Sequence, residues 1–123
     1  MNKEKNLKIL VTGVAGFIGS KICKKLIENK YTVVGIDDLS NGKKKNIPIG
    51  IKFLKLDLSK KSSIKKIPKC DIIFHLAGQS SGEKSFDYPI KDLEKNTIST
   101  INMIEYGIKN KCRKIIYASS MSV

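Results

Sequence analysis

The chain has 123 residues, enough for one domain that buries roughly two-thirds of the surface its unfolded form exposes. Its formal charge of +13 sets 24 basic against 11 acidic residues, yet only Arg113 is arginine and the lysines are scattered over every predicted helix and loop, so nucleic acid is not the expected partner. No run approaches the ~20 apolar residues of a membrane span, and Met1 to Lys8 are polar with no signal-type apolar segment after them, which predicts a cytoplasmic chain with no membrane partner.

In chain order, the first apolar run is Ile9 to Val11, followed by a glycine-rich turn and a helix in which Phe17, Ile18, Ile22 and Leu26 share one face. Further strands are predicted at Val33 to Ile36, Ile51 to Leu56, Ile72 to Leu76 and Ile115 to Ala118. The crossover from Leu58 to Ile67 is weak, dominated by lysine and serine and ended by Pro68. Between the fourth and fifth strands Ile90, Leu93, Thr97, Ile101, Ile104 and Ile108 keep a three-and-four spacing over several turns. Strand and helix alternate throughout, which predicts an α/β fold with right-handed crossovers and a doubly wound parallel sheet ordered 3-2-1-4-5. Its ligand site belongs beside strand 1, where the order reverses. Cys23, Cys70 and Cys112 stand far apart with no C-x-x-C pair and read as reduced structural thiols, with no metal site.

Directly after the first strand comes Thr12-Gly13-Val14-Ala15-Gly16-Phe17-Ile18-Gly19. In that context Gly13 supplies the tight turn, Gly16 lets the backbone approach a pyrophosphate, and Gly19 lets the helix pack close to the sheet. A pyrophosphate would then sit on N–H groups at the positive end of the helix. Asp37 ends the second strand, near the ~20-residue offset at which a carboxylate accepts from an adenosine ribose. A carboxylate there repels a 2′-phosphate and no arginine adjoins it, so NAD is expected over NADP. Lys43, Lys44 and Lys45 read as a solvated loop, with partial phosphate neutralisation as the alternative. No Gly-Lys-Ser/Thr follows the glycines, so a nucleoside triphosphatase loop is not indicated.

The T-G-x-x-G-x-x-G spacing and Gly35-Ile36-Asp37-Asp38-Leu39-Ser40-Asn41-Gly42 together resemble the extended short-chain dehydrogenase/reductase family, most of all its UDP-glucose 4-epimerase branch. Leu56-Asp57-Leu58, His75-Leu76-Ala77-Gly78-Gln79, Asn96-Thr97-Ile98-Ser99-Thr100 and Tyr117-Ala118-Ser119-Ser120 extend the resemblance over nearly the whole chain. It implies a Rossmann fold in which Gly13, Ala15, Gly16, Phe17, Ile18, Asp37, Asp38 and Asn41 bind the cofactor. Asp57 would accept from the adenine amino group with Leu58 beside the ring, although it also reads as a helix N-terminal carboxylate. Leu76, Ala77, Gly78 and Gln79 would lie along the cofactor, and Asn96 would stand near the nicotinamide half or else tie its helix to a strand. His75, the one histidine, reads as a packed structural residue.

Ser120 is the catalytic residue that the resemblance implies, hydrogen-bonded to the sugar hydroxyl being oxidised. The family's acid/base motif, Tyr-x-x-x-Lys, is not in the chain: Tyr106 is followed four residues on by Asn110 and Tyr117 by Met121. The expectation is therefore an amino-terminal fragment, residues 1–123, that holds the NAD-binding domain of a longer enzyme without its substrate lobe. Family dehydratases carry Asp-Glu after the serine pair, whereas this chain has Met121-Ser122. Epimerisation of a nucleotide sugar, with hydride leaving and returning at one carbon, is thus favoured. A reductase or dehydrogenase of the family is the alternative enzyme, and a non-catalytic dinucleotide-sensing module the alternative outside catalysis. Family members dimerise through the helix matching Ile90 to Lys109 and the next one, so a homodimer is the implied assembly.

Overall fold

Ile9, Leu10 and Val11 point alternately to opposite faces of a strand, and all three are buried. A strand that is apolar on both sides needs a cover on each face, and the computed structural model, which describes residues 7–78 and 86–119, supplies it. Strands β1 (Lys8–Thr12), β2 (Thr32–Asp37), β3 (Lys52–Lys55), β4 (Ile72–His75) and β5 (Lys114–Tyr117) form one parallel sheet in the order β3-β2-β1-β4-β5. The expected order is the observed one. Each strand begins and ends within one residue of its predicted bounds, with β3, β4 and β5 each stopping one residue early at the carboxyl end, where the loops of the cleft begin.

Helix α1 (Phe17–Glu28) covers one face, where Ile9, Val11, Val14, Cys23 and Val33 pack together. On the other face Leu10, Val34, Ile36, Ile73, Met103 and Tyr106 form the larger cluster beneath α2 (Lys61–Ile64) and the helical stretch that spans residues 89–109. That stretch comprises α3 (Pro89–Leu93), a π-helical turn Glu94–Ile98 and α4 (Ser99–Lys109). The crossover 58–67 is reduced to the single turn of α2, in keeping with its weak apolar pattern.

The longer helix faces the sheet with a side that the apolar spacing does not mark, whereas α1 departs from it only in its first turn, Leu26 packing on the sheet as its spacing implies. In α1 the buried residues are Gly19 and Cys23, while Phe17 is 76% and Ile18 58% exposed. In the longer helix the stripe Ile90, Leu93, Ile101, Ile104, Ile108 points outward, and the inner side is Ser99, Asn102, Met103, Tyr106 and Gly107. The inner side chains are suited to burial because their polar tips are satisfied: Asn102 Nδ2 donates to the Leu58 carbonyl at 2.9 Å and the Tyr106 hydroxyl to that of Pro68 at 2.5 Å. Among the described residues no helix is long and apolar enough to cross a membrane.

Candidate cofactor-binding site

The sequence after β1 cannot continue as strand because Gly13 takes φ +73°, a left-handed value that glycine adopts without strain. A side chain at Gly13 would also strike the Leu76 and Ala77 backbone at 2.9 Å. The turn is fastened from β2: the amides of Gly13 and Val14 donate to the Ile36 carbonyl at 2.8 and 3.2 Å. Gly19 sits so close to the turn that a Cβ would lie 2.0 Å from the Gly13 oxygen. Gly16 differs, since a Cβ there would meet only the Gly13 oxygen, at 3.3 Å, and would otherwise stand in open space. No side chain caps the N-terminus of α1 and its first turn holds no acidic residue, so its positive end faces the opening between β1 and β4 without a carboxylate of its own.

That opening is a cleft of about 750 Å³ at the carboxyl ends of the strands. It brings together most of the residues expected from the sequence: Gly13, Ala15, Gly16, Phe17 and Ile18 on one wall, Asp37, Asp38 and Asn41 at the end of β2, Asp57 and Leu58 after β3, and Leu76, Ala77 and Gly78 after β4. Gln79 and Ser120 lie outside the described residues, although Ala118 lines the cleft. Asn96 is set against the β4 end: its Nδ2 donates to Asp92 Oδ1 at 2.9 Å, and a Cβ on Gly78 would come within 2.7 Å of its Oδ1.

Asp37 is buried, and each carboxylate oxygen accepts a backbone amide, Oδ2 from Ala15 at 2.9 Å and Oδ1 from Leu39 at 2.8 Å. It thereby joins the glycine turn to the loop after β2. Asp38 accepts from the Ser40 amide and hydroxyl at 2.9 and 2.7 Å and pairs with Lys95 from the π-helical turn. Burial alone would raise the Asp38 pKa, but the hydrogen bonds from Lys95 and Ser40 outweigh it and hold the carboxyl below its ordinary value. Asp57 is lowered likewise, the cost of burial being exceeded by its bonds from Ser59 and the nearby Lys95 charge.

Several wall residues escape a reading of the sequence. Lys95 is one lysine among many, and it stands in the π turn, from which it lines the cleft and pairs with Asp38. Gly42 is required because a Cβ would lie 2.7 Å from that of Ala15. Lys43 and Lys45 are exposed yet line the cleft, around a short 3-10 turn at Lys44–Asn46, so this loop faces the site and is more than a solvated run.

A parallel sheet with a glycine turn at its switch point, an α1 N-terminus left open and an acidic residue ending β2 is the structure of a Rossmann-type dinucleotide-binding domain. The family model described as the NAD dependent epimerase/dehydratase family matches residues 9–123, and the chain belongs to that family. The UDP-glucose 4-epimerase of Mycolicibacterium smegmatis is 35% identical over 121 residues, which cover 93% of this chain and 39% of that protein. The crystal structure of a UDP-glucose 4-epimerase with UDP-glucose from Thermotoga maritima superposes with a TM-score of 0.90 at 37% identity, over 93% of this chain and 38% of that one. The UDP-glucose 4-epimerase of Thermus thermophilus in complex with NAD gives a TM-score of 0.86 at 33% identity, over 93% and 38%. The chain thus spans about two-fifths of the length of these relatives.

Proposed function

We propose that this chain is the NAD-binding part of a nucleotide-sugar epimerase. The observation that carries the reading is the cleft itself, in which space that a side chain on Gly16 would fill lies between the positive end of α1 and the Asp37 carboxylate. The glycine turn would hold the pyrophosphate, Asp37 with Asp38 and Asn41 the adenosine ribose, and Asp57 and Leu58 the adenine, while Ala77, Gly78 and Gln79 would lie along the cofactor and Asn96 near its nicotinamide half. Bound NAD would supply the hydride acceptance and return of an epimerisation through a keto-sugar. Two of the relatives support the cofactor and substrate by what they hold, NAD in one structure and UDP-glucose in another. The outward stripe from Ile90 to Ile108 supports a homodimer formed through this helix, because a row of exposed isoleucines is costly to leave in water.

Ser120 is the proposed group on the sugar hydroxyl: in sequence it follows the last residue of β5 by three positions, and Ala118, two residues before it, lines the cleft. In the full-length enzyme, Ser120→Ala is expected to lower kcat by the ~100- to 10,000-fold typical of a lost proton-transfer partner while leaving NAD affinity nearly unchanged. Turnover of UDP-glucose measured alongside Ser119→Ala checks the assignment. A larger loss at Ser119, or no loss at either serine, contradicts it.

A further inference from the structure

The carboxyl end of β4 carries a chain of hydrogen bonds whose proton positions follow from counting donors and acceptors. Thr100 Oγ1 donates its single proton to the Asn96 carbonyl at 2.6 Å, an oxygen that can only accept. His75 Nε2 lies 3.0 Å from the same hydroxyl oxygen. That ring nitrogen must therefore carry a proton and donate it. At the other side of the ring, Thr12 Oγ1 accepts from the Leu76 amide at 3.0 Å, which it shares with the Thr12 carbonyl, and from the Ala77 amide at 3.1 Å. Its own proton is left for His75 Nδ1, 2.8 Å away. Both ends demand the same ring, neutral and protonated at Nε2 alone. Burial also disfavours the imidazolium, pushing the His75 pKa down to about 4.

The chain connects four elements. Thr12 ends β1 where the glycine turn begins, His75 ends β4, and the ring also stacks on Tyr117 of β5 at 5.9 Å between centroids. Thr100 and Asn96 belong to the start of α4 and the π-helical turn, in which the Ser99 amide reaches back five residues to Glu94 and the Ser99 hydroxyl bonds the Lys95 carbonyl. The widened turn is thus fixed by two hydroxyls, and one of them is held by His75.

We infer that His75 is a positioning residue for the cofactor cleft: as a neutral Nε2–H relay it fixes the glycine turn and the Ala77-Gly78 wall against the π turn that presents Lys95 and Asn96. The inference rests on reading the cleft as the NAD site. A ring that only filled space would be replaced without loss by one of similar size, whereas a relay needs an acceptor on one side and a donor on the other.

The 123-residue chain contains one histidine, so 15N-resolved NMR reads its ring without ambiguity. The expected spectrum shows a protonated Nε2 and a bare Nδ1 from about pH 5.5 to 8. An Nδ1–H ring, or a mixture of tautomers, overturns the inference. In calorimetry, His75→Phe and the milder Thr100→Val are each expected to weaken NAD by about tenfold, the scale of one or two lost buried hydrogen bonds, and to weaken AMP as well, since the glycine turn and Lys95 also border the adenosine side. His75→Gln, which keeps a donor and an acceptor, should recover part of the loss. NAD binding as in the wild type in both folded variants, or no recovery in His75→Gln, contradicts the positioning role. If wild-type protein binds neither nucleotide, the cofactor reading falls and the positioning claim with it, while the tautomer remains a separate result.

Discussion

The carboxylate of Asp37 is buried because backbone amides of Ala15 and Leu39 occupy one lone pair on each oxygen. Its distance from the glycines marks it in the sequence as a ribose ligand, but its work as the clasp between two loops is a tertiary property that no spacing reveals. Lys95 was hidden for the reason that 23 other basic residues look the same. What distinguishes it is the Asp38 carboxylate opposite, which offsets the burial of the ammonium and raises the Lys95 pKa. His75 was legible as a buried residue and not as a relay, since its partners Thr12 and Thr100 stand 63 and 25 residues away. Its titration gives a prediction at this scale. The folded ring has a pKa of about 4 against an ordinary 6.5, so the unfolded chain takes up the proton first as pH falls. Stability is therefore full above pH 6.5 and declines toward pH 4, by about 3 kcal/mol from this group. Urea unfolding between pH 7 and 5 should show that decline in the wild type and a shallower one in His75→Gln. Equal slopes would mean that the ring titrates normally in the fold.

At the level of elements, apolar periodicity located the helices correctly and misled about which side the longer one buries. The isoleucine stripe of residues 90–108 has the right spacing for a helix, and tertiary structure turns it outward because Asn102, Met103 and Tyr106 fit the sheet with their polar atoms bonded to carbonyls. In α1 the departure is partial: Phe17 and Ile18 are exposed and Gly19 and Cys23 bring the helix close, while Leu26 packs on the sheet as its spacing implies. The π turn leaves no mark that single-sequence spacing detects, because one extra residue within a turn only shifts the phase of the stripe. The glycine contact sets up a test in which two effects oppose each other. Gly19→Ala gains up to about 1 kcal/mol of helix propensity, but its Cβ would sit 2.0 Å from the Gly13 carbonyl oxygen, an overlap that only backbone movement relieves. The clash should win, with net destabilisation of about 1–3 kcal/mol in chemical denaturation. A variant as stable as wild type would show that α1 can lift from the turn at little cost.

For the whole molecule, the alternation of apolar runs and helices carried the strand order β3-β2-β1-β4-β5, and the order placed the cleft at the reversal between β1 and β4. The net charge of +13 looks different once mapped, since Lys43, Lys45 and Lys95 edge a cleft that also contains three carboxylates. This mixture suits an anionic ligand with hydroxyl-bearing sugars better than it suits a nucleic-acid backbone. The central claim is that the glycine turn and Asp37 hold NAD, and calorimetric titration of NAD and NADP into the wild type, Gly16→Val and Asp37→Ala tests it most directly. The wild type should prefer NAD, Gly16→Val should bind neither while keeping a native circular dichroism spectrum, and Asp37→Ala should lose the preference. Unaltered NAD binding by a folded Gly16→Val protein would place the dinucleotide elsewhere and contradict the account.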